Sequence, residues 1–201
     1  MDRILVTNIF AAVFTKSLLD PLLKILNPNR VKFWGTEGTV KYLKSKDFRA
    51  ESVVSGFDFD GRVKTLDRAI FARILADRLR KKHLKELQLL ARDTSEVGSD
   101  SSEEEDWEPF DLVIVDLYAP DPKNFPETMD IGGQALIRAA IKNFENVVVA
   151  FDPKSIEDLV WELKINKGVT SVKFRKRQAA KAARFIAERA KLEVALFKSG
   201  T

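Results

Sequence analysis

The stretch "DIGGQALIRAAIKN" at 130–143 sets an acidic residue, Asp130, directly before Ile131, Gly132 and Gly133, where a helical pattern begins. Two glycines leave backbone N–H groups approachable at a helix start, and such groups attract anions and developing negative charge. Lys142 follows twelve residues on, a little over three turns further along the helix. A carboxylate, bare N–H groups and an ammonium are the parts of a proton-transfer site. Each also has a plain structural reading, as a helix cap, a packing device and a cation near a helix C-terminus. Three further segments carry polar residues of the right kind. "GTEGT" at 35–39 offers Thr36, Glu37, Gly38 and Thr39; "DGRVKTL" at 60–66 offers Arg62, Lys64 and Thr65; "DLVIVDLY" at 111–118 ends in Asp116 and Tyr118. Taken singly, Lys64 reads as a solvated lysine and Tyr118 as a half-buried aromatic with a wet hydroxyl.

The elements around these segments decide whether they can meet. "RILVT", "VKFWG", "DLVIVDLY" and "NVVVAFD" are short β-branched runs, and the first, third and fourth are apolar almost throughout, as strands buried on both faces should be. Helical patterns lie between them, at about 9–26, 37–46, 67–92, 133–144 and 154–167. This alternation predicts a three-layer, Rossmann-like α/β domain with a mainly parallel sheet. Ligands in such sheets bind beyond the carboxyl ends of the strands, and all four polar segments fall on strand-to-helix connections.

Composition narrows the function classes. The 201 residues suit one domain, with 45% hydrophobic and 32% charged residues, and no apolar run long enough to cross a membrane. There is no cysteine and one histidine, His83, among charges on a helix, so neither a disulfide nor a zinc site is expected. Few methionines and many Lys, Arg and Glu read as a heat-adapted cytoplasmic protein. The net charge of +4 is uneven. Residues 171–201 hold nine Lys/Arg against two Glu. Phe174, Ala182, Phe185, Ala190 and Leu192 recur there close to helical spacing, so a basic helix at about 171–195 with a solvated charged face is expected, not a nucleic-acid surface. The segment 93–108 carries eight acidic residues and no basic one and reads as a solvated loop.

"GTEGT", "DGRVKTL", "DLVIVDLY" and "DIGGQALIRAAIKN", in this order, closely resemble the IMP cyclohydrolase domain of the bifunctional enzyme that ends purine biosynthesis. The resemblance runs from Arg3 to about residue 190. It implies the methylglyoxal-synthase-like variant of the Rossmann-like fold. In most members a formyltransferase region follows; this chain ends at Thr201, so the resemblance implies a freestanding cyclohydrolase working beside a separate AICAR formyltransferase, and a homodimer as in relatives. The implied reaction closes the ring of 5-formamidoimidazole-4-carboxamide ribotide (FAICAR) to inosine 5′-monophosphate (IMP) with loss of water, and needs no cofactor or metal. The carboxamide nitrogen attacks the formyl carbon of the same molecule, so positioning supplies much of the rate, and proton traffic and charge stabilisation the rest.

Carried over position by position, the catalytic set falls on Lys64, Tyr118, Asp130 and Lys142. The resemblance makes Asp130 and Lys142 a proton relay to the carboxamide, sets Lys64 and the N–H groups after Asp130 against the oxyanion, and lets Tyr118 orient the formyl group. The substrate-binding positions are Thr36, Glu37, Gly38, Thr39, Arg62, Thr65, Asp116, Ile131 and Gly132. Departures from the family pattern occur at Glu37, a carboxylate where glycine is usual; at Asp67 for His; and at Asp116 for Asn. The Ser-Asp-Lys pattern after the first strand becomes Asn8, Ile9 and Phe10, with Lys16 or Lys32 as the replacement cation. The alternative to the enzyme is a non-catalytic phosphometabolite-binding module of the same fold. Because 95–106 is too polar to join a core, deleting most of it should leave the melting temperature within a few degrees and turnover unchanged; a large drop in a thermal scan would mean that this segment docks on the domain.

Overall fold

The computed structural model describes residues 1–53, 65–95 and 107–199, with the side chains of 93–95 excepted. Arg62, Lys64 and most of the acidic segment lie outside the described residues. Five strands form one parallel sheet: β2 (Asn8–Ala12), β3 (Lys32–Gly35), β4 (Ala50–Ser52), β5 (Leu112–Val115) and β6 (Val148–Ala150), in the order β4-β3-β2-β5-β6. A separate antiparallel ribbon pairs β1 (Arg3–Leu5) with β7 (Val169–Ser171). The helices are α1 (Asp20–Leu23), α2 (Glu37–Lys44), α3 (Arg68–Leu75), α4 (Lys81–Ser95), α5 (Ile131–Lys142), α6 (Pro153–Ile165) and α7 (Val172–Ser199). None of the described helices is long and apolar enough to cross a membrane.

Strand residues alternate between two cores. Ile9, Ala11, Phe33, Leu112 and Ile114 pack with Leu22 of α1, Leu43 of α2 and Leu159 of α6. Phe10, Trp34, Val113 and Val115 pack on the opposite face with Ile70 and Ile74 of α3, Leu136 and Ala140 of α5, and Ala182 and Ile186 of α7. Because helices cover both faces, β5 can be apolar at every position. This is the α/β arrangement expected from the sequence.

Three element boundaries differ from the sequence reading. The expected helix at 9–26 begins as strand β2, since "NIFAA" is the sheet's central strand and is buried on both sides; only Lys16–Leu19, a 3-10 turn, and α1 are helical. "RILVT" contributes β1 to the ribbon, not to the main sheet. The expected helix at 67–92 breaks after Leu75, where the Asn143 amide donates to the carbonyls of Ile74 (2.8 Å) and Ala76 (2.9 Å) and ends α3. The turn that follows presents Arg78 to Asp111.

The basic helix is longer than expected, and one of its charges is structural. Arg175 is fully buried and donates to the carbonyls of Met1 (2.6 Å), Phe144 (3.0 Å), Glu145 (2.8 Å) and Thr170 (2.8 Å). His83, expected to be exposed, is half-buried, and its Nδ1 accepts from the Asp77 N–H at 3.0 Å.

Asp111 anchors the start of β5. Its carboxylate, 2% exposed as a residue, accepts from the N–H groups of Thr7 (2.8 Å) and Asn8 (2.7 Å) and the Thr7 hydroxyl (3.0 Å), and pairs with Arg78. Asp111→Ala would leave the arginine and two N–H groups without their acceptor, so urea unfolding should show a loss of about 3–5 kcal/mol, the cost of breaking a buried pair from one side. A loss below about 1 kcal/mol would mean that water replaces the carboxylate.

Candidate functional site

The strand order reverses at β2: the chain proceeds from β2 to β3 and β4 on one side and resumes at β5 and β6 on the other. Loops leaving β2 and β5 therefore diverge, and a crevice opens at their carboxyl ends. A cavity of about 310 Å³ lies there, lined by residues that follow β2 (Val13, Phe14), β3 (Thr36, Gly38) and β5 (Asp116, Tyr118), with Thr65, Asp130 and Gly133. Five expected site residues besides Gly38 thus meet: Thr36, Thr65, Asp116, Tyr118 and Asp130.

One end of the crevice suits an anion. Thr36 precedes α2 in an extended conformation, and its side chain makes no capping bond to the helix. Lys16 places its ammonium beside this helix start, about where a side chain on Gly38 would begin: a Cβ there would stand 3.8 Å from Nζ. Its Nζ donates to the Val13 carbonyl and to Thr39 Oγ1 at 3.3 Å. Burial pushes the Lys16 ammonium below its ordinary pKa, and Asp116 opposes that shift. Glu37 is exposed and absent from the cavity lining, so its carboxylate does not occupy the anion end. Thr39 is fully buried, with its hydroxyl between Thr36, Lys16 and Val13, and so supports the site from beneath.

Asn8, Ile9 and Phe10 lie inside β2, and the residues that leave the central strand are Val13, Phe14, Thr15 and Lys16. Of the two replacement cations expected, Lys16 is the one that reaches the crevice, beside Thr39 and the start of α2. Lys32 stands at the opposite end of its strand, paired with Glu51 at 2.8 Å and lying over the Trp34 ring.

The other end of the crevice is built on α5. Asp130 caps that helix by accepting from the Gly133 N–H at 2.6 Å. That N–H is thus engaged by the carboxylate, not bare as expected. A Cβ on Gly133 would lie 2.5 Å from Leu117 and 2.7 Å from the Asp130 carboxylate, and one on Gly132 would lie 2.3 Å from the Thr65 hydroxyl, so a side chain at either position would displace residues that line or flank the crevice. Ile131 is 55% exposed beside them. Burial raises the Asp130 pKa; the Gly133 N–H and then Arg189 oppose this, while Asp116 and Glu193 add to it. Tyr118, 40% exposed, is likewise raised by burial and then by the Asp130 charge. Arg189 and Glu193 belong to α7, and sequence reasoning missed both, because a charged helix face gives no sign of what lies across from it. Arg189 reaches the Leu117 carbonyl at 3.5 Å, and Glu193 accepts from Gln134 at 2.7 Å.

Two departures from the family pattern have structural work. Asp67 caps α3, accepting from Ala69 (2.7 Å) and Ile70 (3.2 Å) N–H groups. Asp116 accepts from the successive N–H groups of Phe14 and Thr15, the latter at 2.8 Å, so it holds the loop after β2 in place.

Lys142 does not join the site within the chain. It is the last residue of α5, exposed, and lines a separate groove with Phe71, Leu75, Ala139 and Ala183. At about 1.5 Å per residue it stands ~18 Å along the axis from Asp130. The expected reach of Lys142 back to Asp130 is therefore not made: besides the distance, twelve residues carry Lys142 about a third of a turn round the helix from Asp130.

The fold is an α/β domain of the methylglyoxal-synthase-like class, with a crevice at the reversal of strand order. No protein-family model matches the chain. The bifunctional purine biosynthesis protein PurH of Clostridium botulinum (strain Loch Maree / Type A3) is 36% identical over 182 residues, 85% of this chain and 33% of the relative. PurH of Clostridium kluyveri (strain ATCC 8527 / DSM 555 / NBRC 12016 / NCIMB 10680 / K1) is 34% identical over 189 residues, 88% of this chain and 35% of the relative. The crystal structure of ForH matches with a TM-score of 0.71 and 29% identity, covering 96% of this chain and 99% of that one. The chain is a homologue of a segment of PurH, and spans about a third of the length of these curated relatives.

The balance around Asp130 is open to titration. A raised pKa means that the folded protein holds this proton more tightly than the unfolded chain does. Its contribution to stability is therefore present below the unfolded pKa and is lost as pH rises through the folded one. Carboxyl-carbon NMR should place the Asp130 midpoint above the ordinary aspartate value, Arg189→Gln should move it higher and Glu193→Gln lower. Insensitivity to both substitutions would mean that α7 does not act on the site.

Proposed function

We propose that the chain is an IMP cyclohydrolase, which closes FAICAR to IMP with loss of water, using substrate formed by an AICAR formyltransferase. What carries this reading is the crevice itself: on a homologue of PurH, Thr36, Thr65, Tyr118 and Asp130 converge with a lysine at the opposite end. The phosphate goes to the start of α2, where uncapped N–H groups and Lys16 meet it. This leaves the imidazole and its two substituents toward Tyr118 and Asp130.

In the chemical step the carboxamide nitrogen forms a bond to the formyl carbon, and the formyl oxygen takes up the electron pair. Asp130, when ionised, accepts a proton from the attacking nitrogen. Tyr118, kept protonated by its surroundings, donates a hydrogen bond to the oxygen. Protonation of that oxygen and loss of the proton on the former formamide nitrogen release water and leave the C=N bond to that nitrogen, while the attacking nitrogen keeps its remaining hydrogen. Lys64, from the segment outside the described residues, is assigned to the same oxyanion by the family resemblance. Metal and folate have no part in these steps.

The test is direct. FAICAR mixed with the purified protein, without metal or folate, should give the absorbance change of purine formation. A flat trace with folded protein, together with IMP binding in a calorimeter, would leave the non-catalytic binding module. Asp130→Asn should lower single-turnover rates by a factor on the order of 10²–10⁴. Because Lys142 is remote from Asp130 in the chain, the losses from Asp130→Asn and Lys142→Met should multiply in the double variant. A double variant no slower than the worse single one would place both residues in one proton relay.

A further inference from the structure

Phe14 is 73% exposed, more than any other large apolar side chain among the described residues, and it stands in the crevice and not on the outer surface. Its ring centroid is 6.1 Å from that of Tyr118, with the planes inclined by 55°. The two rings form an aromatic part of the same cavity lining as Thr36 and Asp130. The wall is fixed from behind. Asp116 accepts from the N–H groups of both Phe14 and Thr15, one on each carboxylate oxygen. An asparagine there, as the family pattern has, could offer only one acceptor oxygen, and its amide NH₂ would face the second N–H. The carboxylate at 116 thus fixes the backbone from which the Phe14 ring projects.

A phenyl ring in such a place cannot bind phosphate, ribose hydroxyls or a carboxamide. What it offers is an apolar face of the size of a heterocycle. We infer that Phe14, with Tyr118 beside it, is the stacking surface for the base of the nucleotide held in this crevice. The inference rests on the nucleotide reading given above and adds to it a binding residue and a way of selecting planar ligands. A ligand of the same charge without a ring would gain nothing from this wall.

Calorimetry with IMP and with ribose 5-phosphate, on the unaltered protein, Phe14→Ala and Phe14→Leu, separates the contributions. Phe14→Ala should weaken IMP by roughly tenfold to hundredfold, the loss typical of one base–aromatic stack. Phe14→Leu should recover only part of this, and ribose 5-phosphate should bind all three proteins alike. Since Phe14 is exposed, the melting temperatures should coincide. Phe14→Trp provides a second reading: against the emission of Trp34, Trp107 and Trp161, the added fluorescence should be quenched by IMP and not by ribose 5-phosphate. Equal IMP affinity in the unaltered protein and Phe14→Ala, or an added indole signal in Phe14→Trp that is indifferent to bound IMP, overturns the stacking role and leaves the nucleotide reading intact. Failure of the unaltered protein to bind IMP overturns both.

Discussion

The molecule is organised by the way β5 is fastened to β2. These two strands flank the reversal of strand order, so any error in their offset would move one wall of the crevice past the other. An aspartate stands at each end of the run "DLVIVD". Asp111 takes the N–H groups of Thr7 and Asn8 as the chain enters β2, and Asp116 takes those of Phe14 and Thr15 as it leaves. Each carboxylate accepts two successive donors that no neighbouring strand could satisfy at that point. The ladder between them is fixed in register, and the loops that diverge beyond it start from fixed positions.

On that frame the crevice acquires a polarity of charge. Lys16 and the uncapped start of α2 make one end positive, while Asp116, Asp130 and Glu193 gather at the other. Partial burial makes the negative end costly, which is why the Asp130 carboxyl holds its proton more firmly than an aspartate in water. Arg189 offsets part of that cost from outside the sheet layers. A substrate with an anionic end and a neutral ring bearing a weakly acidic amide matches this gradient in direction.

Much of this was legible in the sequence, because apolar runs buried on both faces and turn residues at strand ends are local signals. The parallel sheet follows from "DLVIVDLY" and "NVVVAFD", and the convergence of Thr36, Thr65, Tyr118 and Asp130 follows from their places on strand-to-helix connections. Other features depend on information that no local pattern holds. "NIFAA" has alanines that suit a helix, and only its neighbours β3 and β5 make it a strand. Lys142, by contrast, stands at the far end of the helix from Asp130 and about a third of a turn round it, which the count of residues per turn already implies. Arg175, one charge in a basic run, is fully buried because four carbonyls from distant segments meet around it. The contribution of α7 to the site was hidden for the same reason.

Helix α7 also has an arithmetic. It is 28 residues long, about 42 Å, and is clamped in its first turn by Arg175, while Arg189 and Glu193, four residues apart, look toward Asp130 from further along. Between the clamp and these charges lie fourteen residues, close to four whole turns. One residue inserted or removed there would swing Arg189 by about 100° and shift it by about 1.5 Å, taking the balancing charge away from the carboxylate. This stretch of helix cannot change length freely: the acid–base state of the crevice counts the residues of an element that ordinary inspection would assign to the outer layer.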